Sequence, residues 1–187
     1  GDRIVAATYL AAAAATGGQC TLLGCDPANL AAILPIFEEM GCRVTVRKDV
    51  LSIEGARRLK APKHIRTMPY PGFPTDAQAP LMAMSAIADG HTVFVENIFE
   101  NRYRHVSELS RMGANIKVEG RVAVVEGVQM LQSAEVEAPD LRGGAALIVA
   151  GLCASGRTSV LGMHHVYRGY EDVEGVLQAL GATAWIR

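Results

Sequence analysis

Three stretches of this chain carry no charge on any face: residues 11–15, 79–88 and 145–154. A helix that is apolar all round has to be buried on all sides. A chain with three such helices must therefore wrap the rest of itself around them. Glycines mark the three as parts of one repeated unit. Gly18 and Gly90, which follow the first two runs, lie 72 residues apart. Gly41 and Gly113 also lie 72 apart, and Gly113 and Gly181 lie 68 apart. After each run the pattern predicts a short strand (19–23, 92–95, 158–161) and then a one-sided helix stopped by Gly41, Gly113 or Gly181. Hairpins follow at 43–46 with 50–53 and at 115–118 with 122–125. Leu30, Ile33, Leu34 and Phe37 form the first one-sided stripe at i, i+3, i+4 and i+7, and Pro35 within it should kink or shorten that helix. The second is expected over 103–112. The third centres on Val173, Val176, Leu177 and Leu180, followed by a strand at 183–186 with no return strand.

A period near 70 is long for a solenoid, where roughly 20–50 residues is usual. Three such units close more naturally around one axis, apolar helices inside, sheets and one-sided helices outside. Half of the 187 residues are hydrophobic and the net charge is -1, which supports a sizeable core and argues against a nucleic-acid partner. No charge-free apolar run reaches the ~18 residues that cross a bilayer. Cys20, Cys25, Cys42 and Cys153 show neither a CxxC pair nor zinc spacing and read as buried free thiols in a reducing cytoplasm. The start, Gly1-Asp2-Arg3, has no Met and no signal pattern, and reads as a cut into a longer chain.

Repeats that only fold should be alike, so chemistry is sought where they differ. Pro71, Gly72 and Pro74 force a turn before the second apolar run, placing Thr75 or Asp76 where a helix N-cap belongs. Asp76 is either that cap or a carboxylate mounted rigidly for chemistry. Arg102 stands twelve residues past Gly90 and Arg168 twelve past Gly156, where the first unit has Leu30. Asp140-Leu141-Arg142 leads the third apolar run as Asp76 leads the second. If the units share a fold, two carboxylates and three arginines converge on one cleft, and the planar guanidinium suits phosphate and carboxylate ligands. The bland alternative leaves the arginines solvated, or pairs Arg102 with Glu100 and Arg168 with Glu171. His164-His165 has no third ligand in view, so no metal is expected. His105 reads as surface, Lys60, Lys63, His64 and Arg66 as a solvated connector, and Met82 and Met84 as core filler.

Five ordered motifs carry a resemblance. They are Pro71-Gly72-Phe73-Pro74-Thr75-Asp76-x-Gln78, Phe99-Glu100-Asn101-Arg102-Tyr103, Glu108-Leu109-Ser110-Arg111-Met112-Gly113-Ala114, Asp140-Leu141-Arg142 and Arg168-Gly169-Tyr170-Glu171. Together they resemble the C-terminal part of the UDP-N-acetylglucosamine 1-carboxyvinyltransferase (enolpyruvyl transferase) family. The resemblance implies an α/β fold, an inside-out α/β barrel of three βαβαββ-type repeats over about 1–66, 67–130 and 131–187, the last strand incomplete. It implies transfer of enolpyruvyl from phosphoenolpyruvate to the 3′-hydroxyl of UDP-N-acetylglucosamine with release of phosphate, in peptidoglycan synthesis. Asp76 would bind that hydroxyl and take its proton. Ile98 would contact the sugar nucleotide through its backbone. Arg102, Arg142 and Arg168 would hold phosphoenolpyruvate and stabilise the tetrahedral intermediate, and Asp140 would orient them or assist proton transfer. No cofactor and no membrane are implied. The implied partner is a preceding N-terminal domain bearing a loop cysteine and a Lys-Asn pair, so this fragment alone is expected to have no turnover. Tyr167 departs from the Asp usual in the family. Rival readings are an enzyme acting on shikimate 3-phosphate and a non-catalytic binding domain of the same fold.

Overall fold

The computed structural model describes residues 1–186. Arg187, the last residue of the expected third repeat, lies outside the described residues. The first unit contains α1 (Arg3–Ala15), β1 (Gln19–Leu23), a 3₁₀ turn (Pro27–Leu30), α2 (Leu34–Glu39), β2 (Arg43–Arg47) and β3 (Val50–Glu54). The second contains β4 (His64–Arg66), α3 (Thr75–Ser85), β5 (His91–Val95), α4 (Val106–Arg111), β6 (Asn115–Glu119) and β7 (Val122–Glu126). The third contains β8 (Leu131–Gln132), β9 (Glu135–Glu137), α5 (Leu141–Cys153), β10 (Ala154–Ser155), β11 (Ser159–Leu161), a 3₁₀ turn (Met163–His165) and α6 (Val173–Ala179).

The apolar helices α1, α3 and α5 pack on one another at the centre. Leu10, Leu81, Met82, Met84 and Leu147 are all fully buried there, so the two methionines are core residues. Alanine and glycine on facing surfaces let the helix axes approach. Outside lie a three-stranded antiparallel sheet, β1-β3-β2, and a four-stranded mixed sheet, β4-β5-β7-β6. The strands keep one face inward. β7 buries Ala123 and Val125 and turns Val122 and Val124 to solvent, the alternation of a sheet with one wet face.

The connector read as solvated does expose Lys60, Lys63, His64 and Arg66. Its backbone, however, forms β4, which pairs in parallel with β5, His64 opposite Val93 and Arg66 opposite Val95. The second unit is therefore a full βαβαββ. A short apolar residue, Ile65, between charged neighbours is too weak a period to announce a strand. In the third unit β9 pairs in parallel with β11. The predicted strand at 183–186 does not form. A strand needs a neighbour for its backbone groups, and among the described residues none lies beside it.

The glycine corners repeat in atomic detail. Gly41, Gly113 and Gly181 have φ of 90°, 89° and 94°. The next residue's N–H (Cys42, Ala114, Ala182) reaches back to the carbonyl of Phe37, Leu109 or Leu177 at 3.0, 3.0 and 2.9 Å. This is the Schellman closure, which requires a left-handed residue that glycine adopts without a Cβ penalty. The one-sided helices are shorter than their stripes. The first is split into the 3₁₀ turn and α2, with Pro35 in the first turn of α2, where its missing N–H costs nothing.

Candidate functional site

Helix α3 begins earlier than its apolar run, at Thr75, and its N-cap position is Pro74, without a side-chain cap bond. Asp76 thus caps nothing, which corrects the cap reading. It stands in the first turn, where the partial positive charge of the helix end favours a carboxylate. Four residues on, Pro80 has no N–H to give to the Asp76 carbonyl. Asp140, by contrast, is a true N-cap: its Oδ1 accepts the amides of Arg142 at 3.0 Å and Gly143 at 2.8 Å. Asp2 does the same for α1 through Ile4 at 2.7 Å and Val5 at 3.1 Å.

With Asp140 holding the first turn of α5, the Arg142 side chain crosses to α3. Its Nη2 donates to Asp76 Oδ2 at 3.2 Å. Arg102, on the loop between β5 and α4, donates Nη2 to Asp76 Oδ1. One carboxylate is therefore held between two guanidinium groups, one from its own unit and one from the next. The Asp76 side chain is 39% exposed, while Arg102 and Arg142 are 18% and 15% exposed. The centre is accessible but partly desolvated. The Arg102 guanidinium also lies 5.1 Å from the Phe99 ring centroid, and its Nε is buried without a hydrogen-bond partner among the described residues.

The remaining expected site residues divide. Glu100 pairs with Arg121 at 3.6 Å and not with Arg102. The Ile98 amide donates to Glu96 at 2.8 Å. Arg168 is exposed after the second 3₁₀ turn and makes no ion pair among the described residues, either with Asp76 or with Glu171. Its slot matches that of Arg102 in sequence but not in contact. Tyr167, beside it, donates its hydroxyl to Glu174 at 2.6 Å, and this bond to a carboxylate pushes its pKa up to about 12.

Three residues at the site escaped the sequence reading. His105 is buried, 2% exposed, and not on the surface. It sits at the N-cap position of α4, and its Cβ lies 3.2 Å from where a Cβ on Gly143 would stand. Burial pulls its pKa down to about 4; Arg102 lowers it further and Asp140 opposes. Its Nε2 has no partner among the described residues. Tyr170 donates to or accepts from Thr8 at 2.7 Å and lies near Arg142; burial raises its pKa and the guanidinium opposes. Glu96 is 1% exposed and collects four hydrogen bonds. Tyr170 stands inside the Arg168–Glu171 motif without a role assigned to it, and Glu96 left a trace as an acid at a position where the other units carry glycine.

Comparison with known proteins gives a consistent picture. Residues 1–177 match the family described as EPSP synthase (3-phosphoshikimate 1-carboxyvinyltransferase). The chain is 50% identical over 184 residues to UDP-N-acetylglucosamine 1-carboxyvinyltransferase 1 of Caldanaerobacter subterraneus subsp. tengcongensis, covering 98% of this chain and 44% of the relative. It is 49% identical to a UDP-N-acetylglucosamine 1-carboxyvinyltransferase of Desulfofundulus thermocisternus over 98% of this chain and 75% of the relative. Relatives of the first kind are thus more than twice the length matched. Among solved structures, the enolpyruvyl transferase NikO from Streptomyces tendae superposes with a TM-score of 0.87 at 29% identity, over 97% of this chain and 43% of that one. EPSP synthase from Acinetobacter baumannii superposes with a TM-score of 0.77 at 22% identity, over 100% of this chain and 47% of that one, a likeness of fold.

Proposed function

The chain belongs to the EPSP synthase family of enolpyruvyl transferases, and on that premise we propose that it is a domain of a UDP-N-acetylglucosamine 1-carboxyvinyltransferase. The whole protein moves enolpyruvyl from phosphoenolpyruvate to the 3′-hydroxyl of UDP-N-acetylglucosamine, in the cytoplasmic stage of peptidoglycan precursor synthesis. The observation that carries this reading is the Asp76 carboxylate held between Arg102 and Arg142 at the end of a buried helix. Asp76 binds the sugar 3′-hydroxyl and accepts its proton as the oxygen bonds to the enol carbon of phosphoenolpyruvate. A positioned base of this kind contributes ~10²–10⁴-fold. Arg102 and Arg142 bind the phosphate and carboxylate of phosphoenolpyruvate and stabilise the charge of the tetrahedral intermediate. Arg168 joins them on substrate binding, and phosphate leaves. Asp140 acts through the Arg142 amide it caps. The Ile98 carbonyl faces the sugar nucleotide. The preceding domain supplies the general-acid cysteine and the Lys-Asn pair, and neither substrate is turned over by this domain alone.

The test is phosphate release by the full-length protein that carries this chain. Release with phosphoenolpyruvate and UDP-N-acetylglucosamine that collapses in Asp76→Ala supports the reading. Release with shikimate 3-phosphate instead would reassign the acceptor, and binding of the nucleotide sugar without release would make this a binding domain.

A further inference from the structure

The three units end the strand that leads to their one-sided helix alike: β1 at Leu23, β5 at Val95 and β11 at Leu161. The next residue is Gly24 in the first unit and Gly162 in the third, both left-handed with φ of 68° and 71°. In the second unit it is Glu96. Opposite this slot, the residue after the parallel strand sends its N–H to the last carbonyl of that helix-leading strand: Thr67 to Val95 at 3.0 Å, Ala138 to Leu161 at 3.0 Å. The second unit thus places a threonine and a glutamate where the third places alanine and glycine. Folding alone does not call for the exchange, because the third unit makes the same backbone bond without it.

The inserted carboxylate is buried and fully engaged. Its Oε1 accepts the Thr67 hydroxyl at 2.9 Å and the amides of Ile98 at 2.8 Å and Phe99 at 3.1 Å. Its Oε2 accepts the Thr75 hydroxyl at 2.9 Å. Thr67 Oγ1 in turn accepts the Asn97 amide at 2.8 Å. These bonds reach three pieces of the site. Thr75 precedes Asp76 in the chain, Ile98 and Phe99 form the turn whose ring carries Arg102, and Thr67 closes the parallel strand. A buried carboxylate without a cation is costly unless its lone pairs are filled, so a group retained here with only neutral donors marks a geometric role.

We propose that Glu96 is a positioning residue: it locks the Ile98–Phe99 turn to the start of α3, setting the carboxylate of Asp76 and the backbone of Ile98 at one fixed separation for the sugar end of the nucleotide substrate. The inference rests on the functional reading above. Removal of Glu96 releases the turn and the helix start together, and small displacements at such a site cost rate steeply.

Two measurements on the full-length protein test it. In kinetics, Glu96→Ala raises KM for UDP-N-acetylglucosamine and lowers kcat, each by about tenfold or more, while KM for phosphoenolpyruvate moves far less. Glu96→Gln restores most of both, because the amide oxygen still accepts the backbone N–H groups and the amide nitrogen donates to a Thr75 hydroxyl turned round. Thr75→Val, which leaves the turn intact, lowers kcat with little change in KM. In amide exchange, the Ile98 and Phe99 amides are protected although both residues are exposed; Glu96→Ala loses that protection and Glu96→Gln keeps it. Unchanged kinetics in a folded Glu96→Ala, equal damage in Glu96→Gln, or unprotected Ile98 and Phe99 amides in the wild type would overturn the proposal. Wild-type protein inactive with the nucleotide sugar, but with these amides protected, would overturn the functional reading and leave the lock standing.

Discussion

The floor and the rim of this domain obey different rules. At the floor, where helices stop and hairpins close, the units are nearly interchangeable. Gly55 donates to Gly18 and Gly127 to Gly90, each at 2.9 Å, and Lys60 and Gln132 reach the carbonyls of Met40 and Met112 at 3.1 and 2.8 Å. At the rim, where the buried helices begin, the second unit departs from the other two. Asp2 and Asp140 cap their helices, while Asp76 caps nothing and is held by two arginines. Glycine follows β1 and β11, and Glu96 follows β5. Sameness marks where backbone geometry is the constraint, and difference marks where side chains gather into the candidate site.

The comparison can be broken by substitutions whose effects should sort by region. The largest concerns the floor. A Cβ at Gly127 would stand 1.6 Å from the Ala88 carbonyl oxygen, against 2.9 Å from Ala14 for Gly55. Gly127→Ala should therefore abolish folding or cost well over ~3 kcal/mol, and Gly55→Ala clearly less, as read by denaturant unfolding. Equal effects would show that the two corners are equally tight, against the distances. At the rim, Asp76→Asn should lower kcat of the full-length protein by about 10²–10⁴-fold with the folded stability nearly kept. A large loss of stability with unchanged kcat would return Asp76 to a structural role.

His105, buried at the rim beside Gly143, gives a pH test. Its folded pKa of about 4 lies below the unfolded value, so the unfolded chain binds its proton first. The stabilisation is complete above the unfolded value near 6.5 and is lost as pH falls through about 4, a total on the order of 3 kcal/mol. His105→Gln should flatten this part of the stability profile relative to wild type; parallel profiles would place the imidazole in solvent. The smallest effect is expected at the departure beside Arg168. Tyr167→Phe removes an exposed hydrogen bond to Glu174, and it should change stability by less than ~1 kcal/mol and move KM for phosphoenolpyruvate, if at all, without touching KM for the nucleotide sugar. A large shift for the sugar would extend the rim to this loop.

The plan of the domain is legible in the chain's local patterns. Charge-free runs, one-sided stripes and glycine stops are local signals, because burial, helical period and left-handed backbone are written residue by residue. They sufficed for three units around a helical core and for Asp76, Arg102 and Arg142 as candidates. Which side chain meets which is set by long-range contacts. Asp76 meets Arg142 across 66 residues and Glu96 meets Thr67 across 29; the repeat brings such groups to related ends of the units but does not say which bonds which. The burial of His105 depends on α5 covering it, the strand β4 on β5 lying beside it, and the missing strand at 183–186 on the lack of such a neighbour among the described residues. A hydrogen bond or an ion pair needs both partners in place, and the fold alone supplies the second.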